Sequence, residues 1–487
     1  MSVRFLAFLL IFSFIAVLPA CGSDGNGKGA DTSGESVTSA AEITEEEDIF
    51  ASLEYTNLDG YKFRVVSRNV DHHLKDVYAE HETGDILNDA VFVRNMAVEE
   101  LLNVDIEVIP LGNCDDAKVV NAVRMAVRSD SPDYDMALDH THQVGLFSTE
   151  GMLCDWLSID GINYDNPWWS KNVIEAASVN DRLYFMLSDY QLDGIDYTFT
   201  MLFNKKLFES RNMTMPYEMV DKGTWTMDNF YSLIKDTSED LDGSGKLDES
   251  DLWGLVVEYP NAASIVSFMY SCDQFVTKKN DDGIPELCMN TPKMVSIAEK
   301  VTDIFWNGNQ ARIQNPPNSH QLFRNSQAYM AACFVRDLVL MREMEDPYGI
   351  VIYPKYNEEQ ADYQSHVGGH ASIMMIPITA YENLDTVGKI IDVLSALTLR
   401  DVTPKYYEMV LQTKALRDGE SERMLDMLIA NRVFDFAYFY NSGAGLATML
   451  HALIINHSSN FASEYAKLEK GAIKRFDKVI EELSSIG

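Results

Sequence analysis

Between Tyr61 and Leu138 the chain repeats strand, helix, strand, helix, strand, and this rhythm limits the fold more than any other feature of the sequence. Tyr61 to Val66 (YKFRVV) alternates polar and apolar residues with the two-residue period of a strand, and Asp105 to Ile109 and Tyr134 to Leu138 predict two more. Between them, Asp85 to Leu102 predicts a helix with Ile86, Val93, Met96, Ala97 and Leu101 on one face, and Ala117 to Val127 a second helix. A helix that returns the chain to start a neighbouring strand in the same direction makes a parallel sheet, so the fold class is α/β. Ligands of such open sheets sit at the carboxyl ends of the strands. Here those ends are Arg68-Asn69 and Asp139-His140-Thr141, which makes Asn69 and His140 candidate contacts.

At 487 residues the chain is long enough for two lobes with separate cores. Beyond Gly151 it is rich in aromatic residues, and Tyr197 to Phe203 reads as a strand crossing between lobes. A mostly helical stretch from Trp225 to about Phe305 follows. Strands are expected again at Ala328–Phe334, Gly349–Tyr353 and Ala371–Met375, and helices at about 381–398 and 421–430.

The amino-terminal residues carry a second message. Met1 to Ala20 has one basic residue, Arg4, and an apolar run from Phe5 to Val17 that is short for a bilayer span. It ends in Leu-Pro-Ala-Cys21-Gly, which resembles the lipobox of bacterial lipoprotein signal peptides, where the cysteine sulfur receives a diacylglyceryl group. Residues 22 to about 48 are Gly, Ser, Thr and acid with almost no large apolar side chain, a flexible tether. This arrangement predicts residues 1–20 as signal peptide, 21–50 as tether, and attachment through lipid on Cys21 at the extracytoplasmic face of the cell membrane. The five remaining cysteines (Cys114, Cys154, Cys272, Cys288, Cys333) are odd in number and widely spaced, which favours free thiols; a Cys272–Cys288 bridge is the alternative. Asp and Glu outnumber Lys and Arg by 75 to 39, a balance that repels phosphate backbones and argues against a nucleic-acid partner.

Several short stretches, in order, resemble the sugar-type extracellular solute-binding proteins of ABC transporters, in their large Gram-positive lipoprotein branch. They are Gly151 to Leu157 (GMLCDWL), Asn166-Pro-Trp-Trp169, Asp181 to Phe185 (DRLYF), Leu202 to Phe208 (LFNKKLF), Thr224 to Asp228 (TWTMD), Tyr353 to Tyr356 (YPKY) and Val367 to Ala371 (VGGHA). One departure is Asp181-Arg182, where relatives often carry Gly-Lys. The resemblance implies a two-lobe periplasmic-binding-protein-like fold with a ligand cleft between lobes joined by crossing strands. Lobe 1 would take 56–190 and 372–425, and lobe 2 would take 191–371 and 426–487. It also implies a monomer that captures a small solute, most simply a mono- or oligosaccharide, and delivers it to ABC permease transmembrane subunits. Peptides, polyols and sugar acids stay open as solutes.

Neutral hydroxyl-rich ligands need flat faces to stack on and planar hydrogen-bonders at their rim. Trp168 and Trp169, expected to open a helix, either face the cleft or pack. Asp189 and Tyr190 stand at the crossing, where Asp189 either accepts two hydroxyls or forms a hinge turn. Arg336 and Asp337 follow a strand and either reach the cleft or pair with each other. His370 follows Gly368-Gly369, whose missing side chains would let backbone approach a ligand. No catalytic residue is assigned: GxSxG, HExxH and phosphate-cradling loops are absent from the sequence. A secreted carbohydrate-cleaving enzyme with paired carboxylates is one alternative, and a ligand-sensing lipoprotein on the same fold is another.

Residues 240–251 (DLDGSGKLDESD) follow the EF-hand calcium loop. Asp240, Asp242 and Ser244 occupy the first three ligand positions, and Lys246 offers its carbonyl. Asp248 and Asp251 complete the set, and Gly245 sits at the sharp turn with Leu247 as apolar anchor. Asp251 replaces the usual bidentate Glu. The expectation is a structural calcium ion, with a metal-free solvated loop as the alternative.

Overall fold

The computed structural model describes residues 50, 53, 55–113, 116–258, 262–314, 319–411, 419–440, 443 and 445–486. The expected signal peptide, Cys21, nearly all of the tether and Cys114 lie outside the described residues. In chain order the principal elements are β1 (Tyr61–Arg68), α1 (Ile86–Leu102), β2 (Val104–Leu111), α2 (Lys118–Arg128), β3 (Met136–His140), β4 (Phe199–Asn204), β5 (Trp253–Glu258), β6 (Ala311–Gln314), β7 (Ala328–Phe334), β8 (Tyr348–Val351), β9 (Ser372–Met375), α3 (Leu384–Leu397) and α4 (Phe461–Ser485).

Two sheets carry the architecture. The first has the order β9-β3-β1-β2. Its β1 runs parallel to both β2 and β3, as the sequence rhythm requires, and β9 closes the edge antiparallel with Ser372 opposite His140. The second has the order β8-β4-β7-β5-β6, with β5 parallel to β6 and β7, and β4 antiparallel to β7 and β8. Strand β5 lies inside the stretch read as helical. Its Leu255, Val256 and Val257 are all buried, so the strand is an unbroken apolar run without the alternation that a half-exposed strand shows.

Helix α1 forms where expected and is capped by Asp85, whose carboxylate accepts the N–H groups of Leu87 and Asn88. The buried face is the other one. Leu87, Val91, Arg94, Val98 and Leu102 turn inward, while Val93 and Met96 are half exposed. The stripe turns on Arg94. Its guanidinium lies 5.0 Å over the Tyr190 ring and donates to Asn95 Oδ1 and Thr398 Oγ1, so a charged residue occupies what an apolar count reads as the outer face.

Each sheet sits in its own apolar core. Buried side chains pass from the first core to the second between Tyr190 and Leu192, and back between Ala371 and Ile373. The return segment was expected to stay in lobe 1 to residue 425. Instead Val402, Tyr406, Met424 and Leu425 pack in the second core, because the chain leaves the first at the end of α3. The tail was expected in lobe 2 alone, but α4 is shared. Phe461 and Tyr465 enter the second core, while Phe476, Val479 and Leu483 enter the first.

Among the described residues no helix is long and apolar enough to cross a membrane. Cys154, Cys272, Cys288 and Cys333 are free thiols, and Cys272 and Cys288 are not bridged. Asp181 takes a left-handed conformation (φ 57°) beside Asn180 (φ 51°) in a tight turn closed by Val179 and Arg182. This is a backbone state that glycine adopts readily and that Asn and Asp tolerate best among other residues.

Candidate functional site

Three passages of the chain lie side by side where the lobes meet. The register that sets Phe199 opposite Phe334 extends beyond the strands, so Val335 N–H donates to the Thr198 carbonyl. On the other side Gly368 N–H donates to the Tyr197 carbonyl. Tyr197 is thereby held between the segment carrying Arg336 and the segment carrying His370.

Beneath it lies a buried ionic knot. Arg68, the last residue of β1, donates from Nη2 to the His370 carbonyl (2.8 Å) and to Ser372 Oγ (2.7 Å). The same nitrogen is 3.7 Å from Asp193 Oδ2, which also meets His73 Nδ1 at 2.8 Å and accepts Ser372 N–H at 2.9 Å. Burial would raise the Asp193 carboxyl, but His73, Arg68 and Ser372 together hold it well below the usual carboxylate range. First sheet, first crossing and returning segment are thus tied by one carboxylate.

Above the knot stands a group of nitrogen-bearing rings. The Arg336 guanidinium lies 5.0 Å over the Tyr197 ring and donates to its hydroxyl. His370 is exposed, with its ring stacked 6.1 Å from Tyr197 and 4.8 Å from His140 edge-on. His72 lies 6.4 Å from Tyr197, and His142 lies 5.3 Å from His140. His140 Nδ1 accepts His142 N–H, which leaves the proton on Nε2. Burial, reinforced by neighbouring His and Arg charges, lowers His72 to about 3 and His140 to about 2; burial likewise lowers His142 to about 4. At neutral pH these imidazoles are uncharged, able both to donate and to accept.

The expected contacts divide accordingly. His140, Arg336 and His370 converge on this junction, and Asn69 is exposed at the end of β1, its N–H bonded to the Leu111 carbonyl. Asp337 is buried there; its carboxylate accepts Phe334 N–H, lies 3.4 Å from His320 and forms the expected ion pair with Arg336 Nε at 3.8 Å. Trp168 and Trp169 are core residues: both indole N–H groups donate to Asp392 Oδ1, at 2.7 and 2.8 Å, and the helix they were expected to open starts at Lys171. Tyr190 is fully buried beneath Arg94. Asp189 lies in a turn, its N–H on the Trp168 carbonyl; burial pushes its carboxyl up to about 7, against the pull of Arg432. Gly368 and Gly369 do permit a close approach, but by protein: an added Cβ would fall 2.8 Å from the Phe334 ring and 2.5 Å from His142 Nε2.

Sequence reasoning missed Arg68, His72, His73, Asp193, Tyr197 and Tyr438, whose hydroxyl accepts Gly369 N–H. The pair His72-His73, four and five residues past the carboxyl end of parallel strand β1, carried the same signal that selected Asn69. The hollow of about 470 Å³ bounded by Leu58, Asn163, Asp385 and Asp392 lies on the flank of the first lobe, away from these groups, so convergence of side chains rather than volume marks the site.

In loop 240–251, carboxylate oxygens of Asp240, Asp242 and Asp251 come within 4.8 Å of one another. Asp251 accepts the N–H groups of Leu241 and Asp248, while Ser244 Oγ donates to the Lys246 carbonyl. Asp248 accepts from Ser250, and Leu247 packs against the second core. The all-oxygen donor set suits a hard cation.

The chain matches no family model, and no curated protein matches it in sequence. Solved structures do match in shape. A cyclic α-maltosyl-1,6-maltose binding protein from Arthrobacter globiformis aligns with TM-score 0.55 and 13% identity over 88% of this chain and 99% of its own. The maltose/maltodextrin-binding domain MalE from Bdellovibrio bacteriovorus, bound to maltotriose, aligns with TM-score 0.53 and 14% identity over 86% and 99%. The ABC substrate-binding protein Lmo0181 from Listeria monocytogenes, in complex with cycloalternan, aligns with TM-score 0.52 and 11% identity over 88% and 100%. The fold is that of the two-lobed solute-binding proteins. In this binding-protein fold, the strand-end rule and the side-by-side crossings place the Tyr197 group at the junction of the lobes.

Proposed function

We propose that this protein is the solute-binding subunit of an ATP-driven importer, and that it holds a carbohydrate at the Tyr197 junction as its lobes close. The observation that carries the reading is the meeting of Arg336, His140 and His370, from three separate segments, over crossings that two lobes share. Support for a carbohydrate comes from the sugars bound by the solved structures of this shape. The chain performs no chemistry on the solute in this reading; hydrolysis of ATP belongs to other subunits, and the partner is a membrane permease.

The rest of the assignment follows from the amino-terminal sequence. Residues 1–20 direct export and are removed, lipid on Cys21 anchors a monomer at the outer face of the membrane, and the tether gives it reach. Calcium in loop 240–251 acts as a staple of the second lobe, held by Asp240, Asp242, Ser244, Lys246, Asp248 and Asp251.

A thermal-shift and calorimetric screen against neutral and charged sugars tests the reading. A solute at a hundredfold excess over its dissociation constant stabilises the native state by about 2.7 kcal/mol and is recovered chemically unchanged. A sugar that is consumed would make the protein an enzyme, and silence across the panel would overturn the carbohydrate assignment.

A further inference from the structure

The charge of the junction departs from that of the whole chain. Acidic residues outnumber Lys and Arg by 75 to 39 overall, yet the groups gathered around Tyr197 are Arg336, His72, His140 and His370. The carboxylates beside them are engaged. Asp337 serves Phe334 N–H and His320, and Asp193 serves His73, Arg68 and Ser372 below.

The one acid paired with Arg336 among the described residues is Asp337, at 3.8 Å from Nε, and its carboxylate is shared with Phe334 N–H and His320. One Arg336 nitrogen is spent on the Tyr197 hydroxyl, and the plane is steadied by the ring beneath it. About a third of the side chain is open (30% exposed). A guanidinium held in one orientation loses little freedom on binding and presents a planar fork matched to a carboxylate. His140 adds a donor, because its Nδ1 is committed to accepting His142 N–H and its proton sits on Nε2.

Stacking platforms are scarce by comparison. Five of the six tryptophans (Trp156, Trp168, Trp169, Trp225, Trp253) are no more than 6% exposed inside the lobes, and Trp306 donates to the Ile454 carbonyl and stacks on His457. A neutral oligosaccharide leans on such faces. This junction offers a fixed cation and N–H donors.

We propose that the junction takes an acidic sugar, its carboxylate gripped by the Arg336 fork and its hydroxyls met by the imidazoles of His72, His140 and His370. The proposal rests on the carbohydrate reading above and sharpens it to uronic acids and their short oligomers.

Isothermal titration of the full-length protein at low salt would compare each neutral sugar of a panel (glucose, galactose, mannose and their dimers) with its matched uronate. The expected result is binding of a uronate at least about tenfold tighter than its neutral match. Arg336→Gln is expected to weaken uronate binding at least about tenfold more than binding of the matched neutral sugar, and Arg336→Lys, which keeps the charge but not the fork, to recover part of that difference. Melting curves of both variants verify that they fold. Equal or tighter binding of the neutral sugar, or an equal loss for both sugars in Arg336→Gln, would overturn the acidic-sugar proposal and leave the carbohydrate reading standing. No binding by either class would overturn both.

Discussion

Asp193 shows at the scale of one residue why the junction is both stable and demanding. Its side chain is about 1% exposed, and it pairs with Arg68 and meets His73 Nδ1 out of reach of water. Replacing it with Asn removes the charge but keeps the shape, leaving the buried Arg68 guanidinium to lean on Asp139, 3.9 Å away. Breaking one side of a buried pair costs about 3–5 kcal/mol. Asp193→Asn should therefore lower the denaturation midpoint by a large fraction of the total stability, measurable by urea titration followed by circular dichroism. An unchanged midpoint would mean that the knot is spectator chemistry.

Single residues also show where sequence reading stops. His140, Arg336 and His370 were legible because strand ends and a Gly-Gly pair point to them. Trp168 and Trp169 were not, since an indole that packs and an indole that stacks on sugar look identical until Asp392, more than two hundred positions later, is seen to take both N–H groups. Tyr197 was passed over because its role comes from the crossings beside it, which are long-range pairings.

At the scale of elements, the parallel β1, β2 and β3 were readable from period and spacing, and β5 was not, because a strand buried on both faces has no alternation to read. The face of α1 was misread because burial there is decided by Arg94 and its partners. Loop 240–251 separates two effects that one variant would confuse. Asp251 is buried and holds two backbone N–H groups with or without metal, whereas Asp242 is exposed and accepts Ser244 N–H and the Ser250 hydroxyl where water can replace it. Calcium should raise the melting temperature of the wild-type protein, and chelator should reverse the rise. Asp242→Ala should abolish that response and leave the metal-free melting temperature unchanged. Asp251→Ala should abolish it and also cost about 1–3 kcal/mol without metal, through the unpaired N–H groups. Differential scanning calorimetry with and without calcium reads both; an Asp242→Ala variant that still responds to calcium would remove the loop as the site.

For the molecule as a whole, the buried titrating groups predict an uneven response to acid. His72, His140 and His142 are held near pH 3, 2 and 4, below the ordinary value of about 6.5, so the unfolded chain binds their protons first and stability falls as pH drops through that range. Asp189 and Asp139 are pushed up by burial to about 7 and about 6, so the folded state holds their protons first, and stability rises as pH drops from there to about 4. The two sets oppose each other above about pH 4. Below it the histidines, Asp193 and other carboxylates held low, such as Asp346 and Glu150, act in the same direction. Melting temperature should change little between pH 7 and 5 and fall steeply below about 4; a steady decline beginning at pH 6.5 would show that the imidazoles are more accessible than their burial indicates.

The shared last helix has a consequence for how the protein comes into being. Phe63 and Leu483 belong to one core, so the first lobe cannot be sealed until residues about 420 positions downstream of β1 have left the ribosome. Contacts at such separations form slowly. A lobe built this way stays open through most of the synthesis of the residues between its first strand and α4.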